Sequence, residues 1–228
     1  MGAADTVEIW AWDLDGLAAQ ADAHWASLSP EEQARASRFV VPGLGPRFVA
    51  ARGMLRQVLA ALRGERPAEL AIRTERDGKP YVVGGPHFNL SHSGSRALLA
   101  VAAFPLGVDI EAIRSIEDEV ARIAFSPAEQ AALQAVPPDR REAAFFRGWT
   151  RKEAVAKARG DGIGGWMAFD VSLDDSPAVL RADGDPAEAG CWQVTDWAAG
   201  PGFAAAVAAR RVGWRVVPAL TKAENLHP

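Results

Sequence analysis

The chain is poor in several residue types that carry common chemistries. It has one cysteine in 228 residues, Cys191. A lone cysteine makes no internal disulfide and no thiolate cage for a metal, and its solitude favours a reducing compartment. The four histidines, His24, His87, His92 and His227, include no i,i+4 pair, so no local histidine zinc site is encoded. Long apolar runs are missing too. Two uncharged apolar stretches, Ala97–Val108 and Ala198–Ala209, run twelve residues each, contain proline or glycine, and are too short to cross a bilayer. The first ten residues, MGAADTVEIW, have no basic segment followed by an apolar one, so no signal peptide is expected. Excess positive charge is absent: Lys plus Arg is 25 against Asp plus Glu 29, a net charge of −4. That excludes bulk binding to nucleic acid or anionic membranes, and any polyanion must find a local cluster of cations. The expectation is a cytoplasmic protein with neither a membrane nor a nucleic-acid partner.

What remains is ordinary globular material, 49% apolar and 24% charged. Val7, Ile9 and Ala11 alternate with Glu8, Trp10 and Trp12, which predicts a strand, and Asp13–Gly16 reads as a turn after it. Ser29-Pro30-Glu31-Glu32 is a capping box with proline at the first helical position. Residues 47–63 have apolar positions at helical spacing, with Gly64 as the stop. Leu70–Thr74 and Tyr81–Val83 flank Asp77-Gly78 as a hairpin. Further strands are expected at Phe88–Ser91, Ala97–Ala103 and Gly107–Glu111.

A second capping box, Ser126-Pro127-Ala128-Glu129, nearly repeats the first, and each precedes an arginine-rich amphipathic helix, 47–63 and 142–159. Strands follow in both halves, the later ones at 168–173, 192–197 and 203–209. The matched order predicts an α+β protein of two similar halves, 1–105 and 106–228, each large enough for a modest core. Asp174–Gly190 reads as a mobile loop and the tail after Pro218 as frayed.

Three segments carry candidate chemistry. In Leu106-Gly-Val-Asp-Ile-Glu111, Asp109 and Glu111 lie two apart and so share one strand face, with Val108 and Ile110 on the other. Two carboxylates about 5 Å apart at an effective dielectric of about 20 repel by roughly 3 kcal/mol. A cation, a proton or solvent must relieve that, and oxygen ligands suit Mg²⁺ or Mn²⁺ better than zinc. A solvated acidic strand face is the plainer alternative. In Trp149-Thr-Arg-Lys-Glu-Ala-Val-Ala-Lys157, Trp149, Glu153 and Lys157 form one helical stripe. Glu153 can add a third carboxylate, and Lys157 can reach a phosphate on the same metal; an ordinary surface Glu–Lys pair is the alternative. In Phe88-Asn-Leu-Ser-His-Ser-Gly94, the polar groups Asn89, Ser91, His92 and Ser93 crowd one strand end, which suits phosphate or hydroxyl contacts. A lone histidine is otherwise a satisfied structural group.

Taken in order with the Arg47 helix, Gly78-Lys79-Pro80 and Gly160-Asp-Gly162, these segments resemble the 4′-phosphopantetheinyl transferase family. The resemblance is to its longer, single-chain, two-half, surfactin-synthetase-activating type, and it covers nearly the whole chain. Ile163 stands where the pattern expects leucine. The resemblance implies two halves related by a pseudo-two-fold axis, each a small, mostly antiparallel sheet with a packed long helix, and coenzyme A in the cleft between them. It implies transfer of the phosphopantetheine arm of coenzyme A to a serine of an acyl or peptidyl carrier protein, with release of 3′,5′-ADP. Asp109, Glu111 and Glu153 fall where the family holds Mg²⁺. Lys157 matches a phosphate-contacting lysine, and Glu153 is the candidate acceptor of the serine proton. Arg47, Lys79, Ser91 and His92 match coenzyme A contacts. The carrier is expected on the second half, near residues 114–125, with Ile116, Arg122 and Phe125 as contacts, and the enzyme is expected to be a monomer. Two other readings stay open: a metal-dependent coenzyme A phosphohydrolase, and a catalytically silent carrier-binding or nucleotide-binding scaffold.

Overall fold

The computed structural model describes residues 5–75, 78–160 and 163–219. Asp77 of the hairpin turn, Asp161-Gly162 and all of the tail beyond Ala219 lie outside the described residues.

Strand β1 (Thr6–Asp13) is followed by helices α1 (Leu14–Ala18), α2 (Ala21–Trp25), α3 (Pro30–Ala36) and α4 (Leu44–Arg63). The expected turn at Asp13 is instead the cap of α1, because the Asp13 carboxylate accepts from the Asp15 and Gly16 N–H groups. The Ser29–Glu32 capping box forms in full, and Gly64 ends α4 with φ +69. Next come the hairpin β2 (Ile72–Thr74) and β3 (Pro80–Val82), then β4 (His87–Ser93) and β5 (Arg96–Ala102). The sheet order is β11-β1-β5-β4, where β11 (Arg215–Pro218) returns from the end of the chain to lie parallel to β1, and the other pairings are antiparallel.

The later part of the chain builds β6 (Gly107–Ala112), α5 (Asp118–Ala124), α6 (Pro127–Gln134), α7 (Pro138–Arg159), β7 (Phe169–Val171), β8 (Val179–Ala182), α8 (Pro186–Ala189), β9 (Gln193–Asp196) and β10 (Phe203–Ala209). Its main sheet is antiparallel, in the order β6-β10-β9. The protein is thus a mixed α+β fold of small sheets and packed helices. The segment Asp174–Gly190, expected as a loop, contains β8 and α8. Val179, Ala182 and Ala189 bury against Phe169, Val171 and Trp192, and that burial outweighs its Asp/Pro/Gly composition.

The layers run helix, sheet, sheet, helix. Trp10, Trp12, Leu99 and Val101 pack on Leu55, Val58 and Leu59 of α4. The opposite face of that sheet, with Val7, Ile9, Leu98 and Ala100, meets Val108, Ile110, Ala205 and Val207 of the second sheet. The outer face of the second sheet, Ala206 and Ala208, takes Val155 and Phe146 of α7. The alanine-rich β10 keeps that approach close, and Gly107 makes it closer still. A Cβ at Gly107 would lie 2.1 Å from Ala154 O and 2.6 Å from Ala158 N, so the backbones of β6 and α7 touch there.

His24 lies on α4 where Gly53 leaves room for its ring. It is buried, its Nδ1 sits 3.4 Å from Gln57 Nε2, and Nε2 has no partner. Burial therefore lowers its pKa below the ordinary 6.5, and burial likewise lowers those of His87 and His92. The unfolded chain then binds protons first as the pH drops. The His24 contribution to stability is full above about 6.5 and is lost as the pH falls below it, by up to about 1.4 kcal/mol per unit. The thermal midpoint should fall between pH 7 and 5.5, and His24→Gln should flatten the fall. Equal slopes in the two proteins would refute this.

Candidate active site

Strands β4 and β6 lie side by side, yet belong to different sheets. Side chains stand in for the missing backbone ladder. Asn89 Oδ1 accepts from Val108 N at 2.8 Å, Ser91 Oγ from Ile110 N at 3.4 Å, and Ser93 Oγ from Ala112 N at 3.1 Å. The alternation of β4 puts Phe88 in the core under α4 and turns 89, 91 and 93 to this seam.

The acidic face of β6 meets the α7 stripe at the same place. Lys157 Nζ donates to Asp109 Oδ1 at 2.6 Å, to Ser91 Oγ at 3.2 Å and to Val108 O at 3.3 Å, and lies 4.0 Å from Glu153 Oε2. Trp149, one turn before Glu153, packs on Phe145 of the same helix and ties α7 to Trp166, with ring centroids at 5.6 and 4.8 Å. Ser91 donates to Asp109 Oδ1 at 2.7 Å, and Ser93 donates to Glu111 Oε2 at 2.8 Å. Arg114 donates to the same Glu111 oxygen at 3.2 Å. The repulsion expected between carboxylates is relieved first by a cation of the chain itself, Lys157.

Lys157 does not relieve all of it. Burial pushes the Asp109 carboxyl up, against the pull of Lys157 and Ser91. Burial also raises that of Glu153, with Lys157 opposing and the charges of Asp109 and Glu111 adding to the rise. Asp109 Oδ2 is buried with no hydrogen-bond partner, which costs on the order of 1–3 kcal/mol or more for a charged group. Among the described residues no three His, Cys, Asp or Glu groups close into a ready metal cage. The donor set still fits a hard divalent cation: three carboxylates of one sign, one with an orphaned oxygen, and all oxygen donors.

Beside this cluster lies a cleft of about 690 Å³, lined among others by Arg35, Arg47, Phe48, Arg52 and His92. Arg47 pairs with Asp15 at 2.6 Å, and Arg52 with the capping-box carboxylate of Glu32. Arg35 lies 5.1 Å from the Phe48 ring centroid. The His92 pKa is lowered by burial first and then by Lys157 and Arg35, with Glu111 opposing, which relates the cleft to the carboxylate cluster.

The structure thus gathers Asp109, Glu111, Glu153, Lys157 and Ser91 at one place and puts Arg47 and His92 in the adjoining cleft. Lys79 lies between Gly78 and Pro80, which line the cleft. Its ammonium donates to Leu106 O at 3.0 Å and Lys157 O at 2.7 Å, tying the hairpin to the last turn of α7. Phe125, expected at a partner surface, is core at 1% exposure, and Ile116 packs partly against the same core. Arg122 is exposed, as are Val120 and, at 67%, Ile123 on α5. Sequence reading missed Arg35 and Arg52 of the cleft wall, and Arg114, which lies in the loop after β6 and pairs with Glu111. Arginine-rich helices offered too many candidates, and only packing shows which of them face the cleft.

A mixed α+β protein with a cationic cleft beside a partly buried carboxylate cluster is the class that fold and site define. Comparison with known proteins narrows it. The family model described as the 4′-phosphopantetheinyl transferase superfamily matches residues 105–208. A 4′-phosphopantetheinyl transferase named HetI, from Nostoc sp., is 36% identical over 220 residues, covering 92% of this chain and 90% of its own length. A 4′-phosphopantetheinyl transferase of Bacillus subtilis is 32% identical over 73% of each chain. One named psf-1, from Bacillus pumilus, is 37% identical over 68% of each. The chain belongs to the 4′-phosphopantetheinyl transferase superfamily.

Proposed function

We propose that the protein transfers the 4′-phosphopantetheine group of coenzyme A to a serine of an acyl or peptidyl carrier protein, releasing 3′,5′-ADP, with Mg²⁺ as cofactor and Mn²⁺ as a substitute. The observation that carries this reading is the meeting of Asp109, Glu111, Glu153 and Lys157 at the seam beside a cationic cleft.

Arg47 and His92, with Lys79 in support, hold the strongly anionic coenzyme A, including its 3′-phosphate. Arg35 adds positive charge to the same wall, where Arg52 is offset by its pairing with Glu32. Asp109, Glu111 and Glu153 are the residues that would hold the divalent ion. When bound, that ion neutralises charge on the phosphoryl group under attack and on the departing diphosphate oxygen. Glu153, whose carboxyl pKa is raised by burial and by the charges of Asp109 and Glu111 against the pull of Lys157, accepts the proton of the carrier serine. The serine oxygen attacks the phosphorus that bears the pantetheine arm. The bond from that phosphorus to the bridging oxygen breaks, and 3′,5′-ADP leaves. Lys157, already against Asp109, donates to the phosphate oxygens as charge shifts to the leaving group.

The two halves, 1–105 and 106–228, are read as related by a pseudo-two-fold axis. In support, each capping-box glutamate reaches into its long helix: Glu32 to Arg56 at 2.6 Å, and Glu129 to Lys152 at 2.7 Å. The carrier is placed on α5, where Val120, Arg122 and Ile123 are exposed. No helix among the described residues is long and apolar enough to cross a membrane. With the exposed thiol of Cys191, this suits a cytoplasmic protein, and the two-half chain is read as a monomer.

The test is to incubate the protein with coenzyme A, Mg²⁺ and an unmodified carrier and to weigh the intact carrier. A gain of one phosphopantetheine is expected. Cleavage of coenzyme A with an unchanged carrier would mean a hydrolase, and coenzyme A binding with no turnover on several carriers would mean a scaffold.

A further inference from the structure

We propose that Ser93, together with Ser91, is a positioning residue for the metal. Each serine clamps one oxygen of a metal-holding carboxylate and leaves the second oxygen for the ion. The inference rests on the metal role proposed for Asp109 and Glu111 and adds the residues that orient them.

The argument is one of hydrogen-bond count. A serine hydroxyl has one proton and two acceptor sites. Ser93 Oγ accepts from Ala112 N at 3.1 Å, so the strand backbone fixes the oxygen and its single proton goes to Glu111 Oε2 at 2.8 Å. Ser91 follows the same scheme two residues earlier. Its Oγ accepts from Ile110 N and Lys157 Nζ, and its proton goes to Asp109 Oδ1. The remaining oxygens differ in burial, but neither is held by the described residues. Asp109 Oδ2 is buried without a partner, and Glu111 Oε1 takes no hydrogen bond among the described residues. One oxygen of each acid is therefore pinned by the first half of the chain, and the other is left over.

Ser93 matters more to Glu111 than Ser91 does to Asp109. Asp109 is buried and also gripped by Lys157, whereas Glu111 is partly exposed and has a longer side chain with more rotamer freedom to lose. Its other holder, Arg114, is three residues away on the same segment and 60% exposed, which makes a weak surface pair. A merely structural role, stitching β4 to β6, is already served by Asn89 with Val108 N and by the Ser91 contact. Groups that orient metal ligands typically contribute 10–100-fold in affinity.

The experiment titrates Mn²⁺ into protein saturated with coenzyme A, by calorimetry or electron paramagnetic resonance, for wild type, Ser93→Ala, Ser93→Thr and Glu111→Gln. Ser93→Ala should raise the Mn²⁺ dissociation constant about tenfold or more and raise the Mg²⁺ concentration for half-maximal transfer in proportion. Its kcat at saturating Mg²⁺ should fall by less. Ser93→Thr, which keeps the hydroxyl, should restore affinity to within about threefold. If Ser93→Ala folds poorly, Ser93→Cys, nearly isosteric with a weak donor, carries the same comparison. Mn²⁺ affinity within twofold of wild type for the variant lacking the hydroxyl would overturn the positioning role, and so would failure of threonine to restore it. If those results coincide with loss of Mn²⁺ in Glu111→Gln, only the serine falls and the metal reading stands. Wild-type Mn²⁺ affinity in Glu111→Gln would remove the metal role of that carboxylate and the inference with it.

Discussion

Glu153→Gln should lower the rate of transfer by about 10²–10⁴-fold, the range contributed by a positioned general base, while leaving the thermal midpoint unchanged or slightly raised. The two effects separate because of how Glu153 is held. Its nearest charge partner, Lys157 Nζ, is 4.0 Å away, and that ammonium is already committed to Asp109 at 2.6 Å. Burial and the charges of Asp109 and Glu111 all work against its ionised form. The neutral amide removes that repulsion, so the fold loses little, but it accepts no proton and is a poor ligand for a hard cation. Release of 3′,5′-ADP at saturating coenzyme A, beside a melting curve, makes the comparison. A kcat within about threefold of wild type would remove Glu153 from the chemistry. Asp109 is a harsher place to cut. It is nearly fully buried and paired with Lys157 without any metal, so its loss would strand that ammonium and disturb the seam as well as the reaction.

Lys152→Met should destabilise the protein by about 3–5 kcal/mol, the usual cost of orphaning one partner of a buried pair. For a chain of this size that lowers the thermal midpoint by roughly 10 °C. Lys152 and Glu129 are each 1% exposed. The ammonium donates to both Glu129 oxygens, at 3.0 and 2.7 Å, and to Phe169 O at 3.0 Å, and it lies over the Phe169 ring. Burial lowers the lysine pKa, with the Glu129 charge opposing. The same carboxylate closes the capping box of α6 by accepting from Ser126 N, and accepts from Val171 N, so one pair joins α6, α7 and β7. Adding Glu129→Gln to Lys152→Met should recover part of the loss, because a neutral amide no longer needs the cation. A double variant as unstable as the sum of the two singles would show that the pair is not coupled.

Features set by near neighbours were legible in the sequence. Both capping boxes form as read, because an i,i+3 pattern is complete within four residues. The face shared by Asp109 and Glu111 and the stripe of Trp149, Glu153 and Lys157 follow from strand and helix periodicity alone. The short helices α1, α2 and α5 gave no sustained period and went unread. The segment 174–190 looked like a loop because its few apolar residues gain a face only when β7 and Trp192 cover them. Strand β11 pairs with β1 across some two hundred residues of chain, which no local pattern encodes.

Taken alone, the amino-acid order settled which groups are available: the acids, the lysine, the serines, their spacing along each element, and the family they mark. Three-dimensional packing settled which of them meet. Gly107 and the alanines of β10 let α7 come close enough for Lys157 to reach Asp109, and two sheets that share no ladder are joined by hydroxyls that also hold acids. The reason is physical. A side chain's direction follows from its own few neighbours in the chain, whereas its contacts follow from how whole layers bury their apolar faces, and that depends on every residue at once.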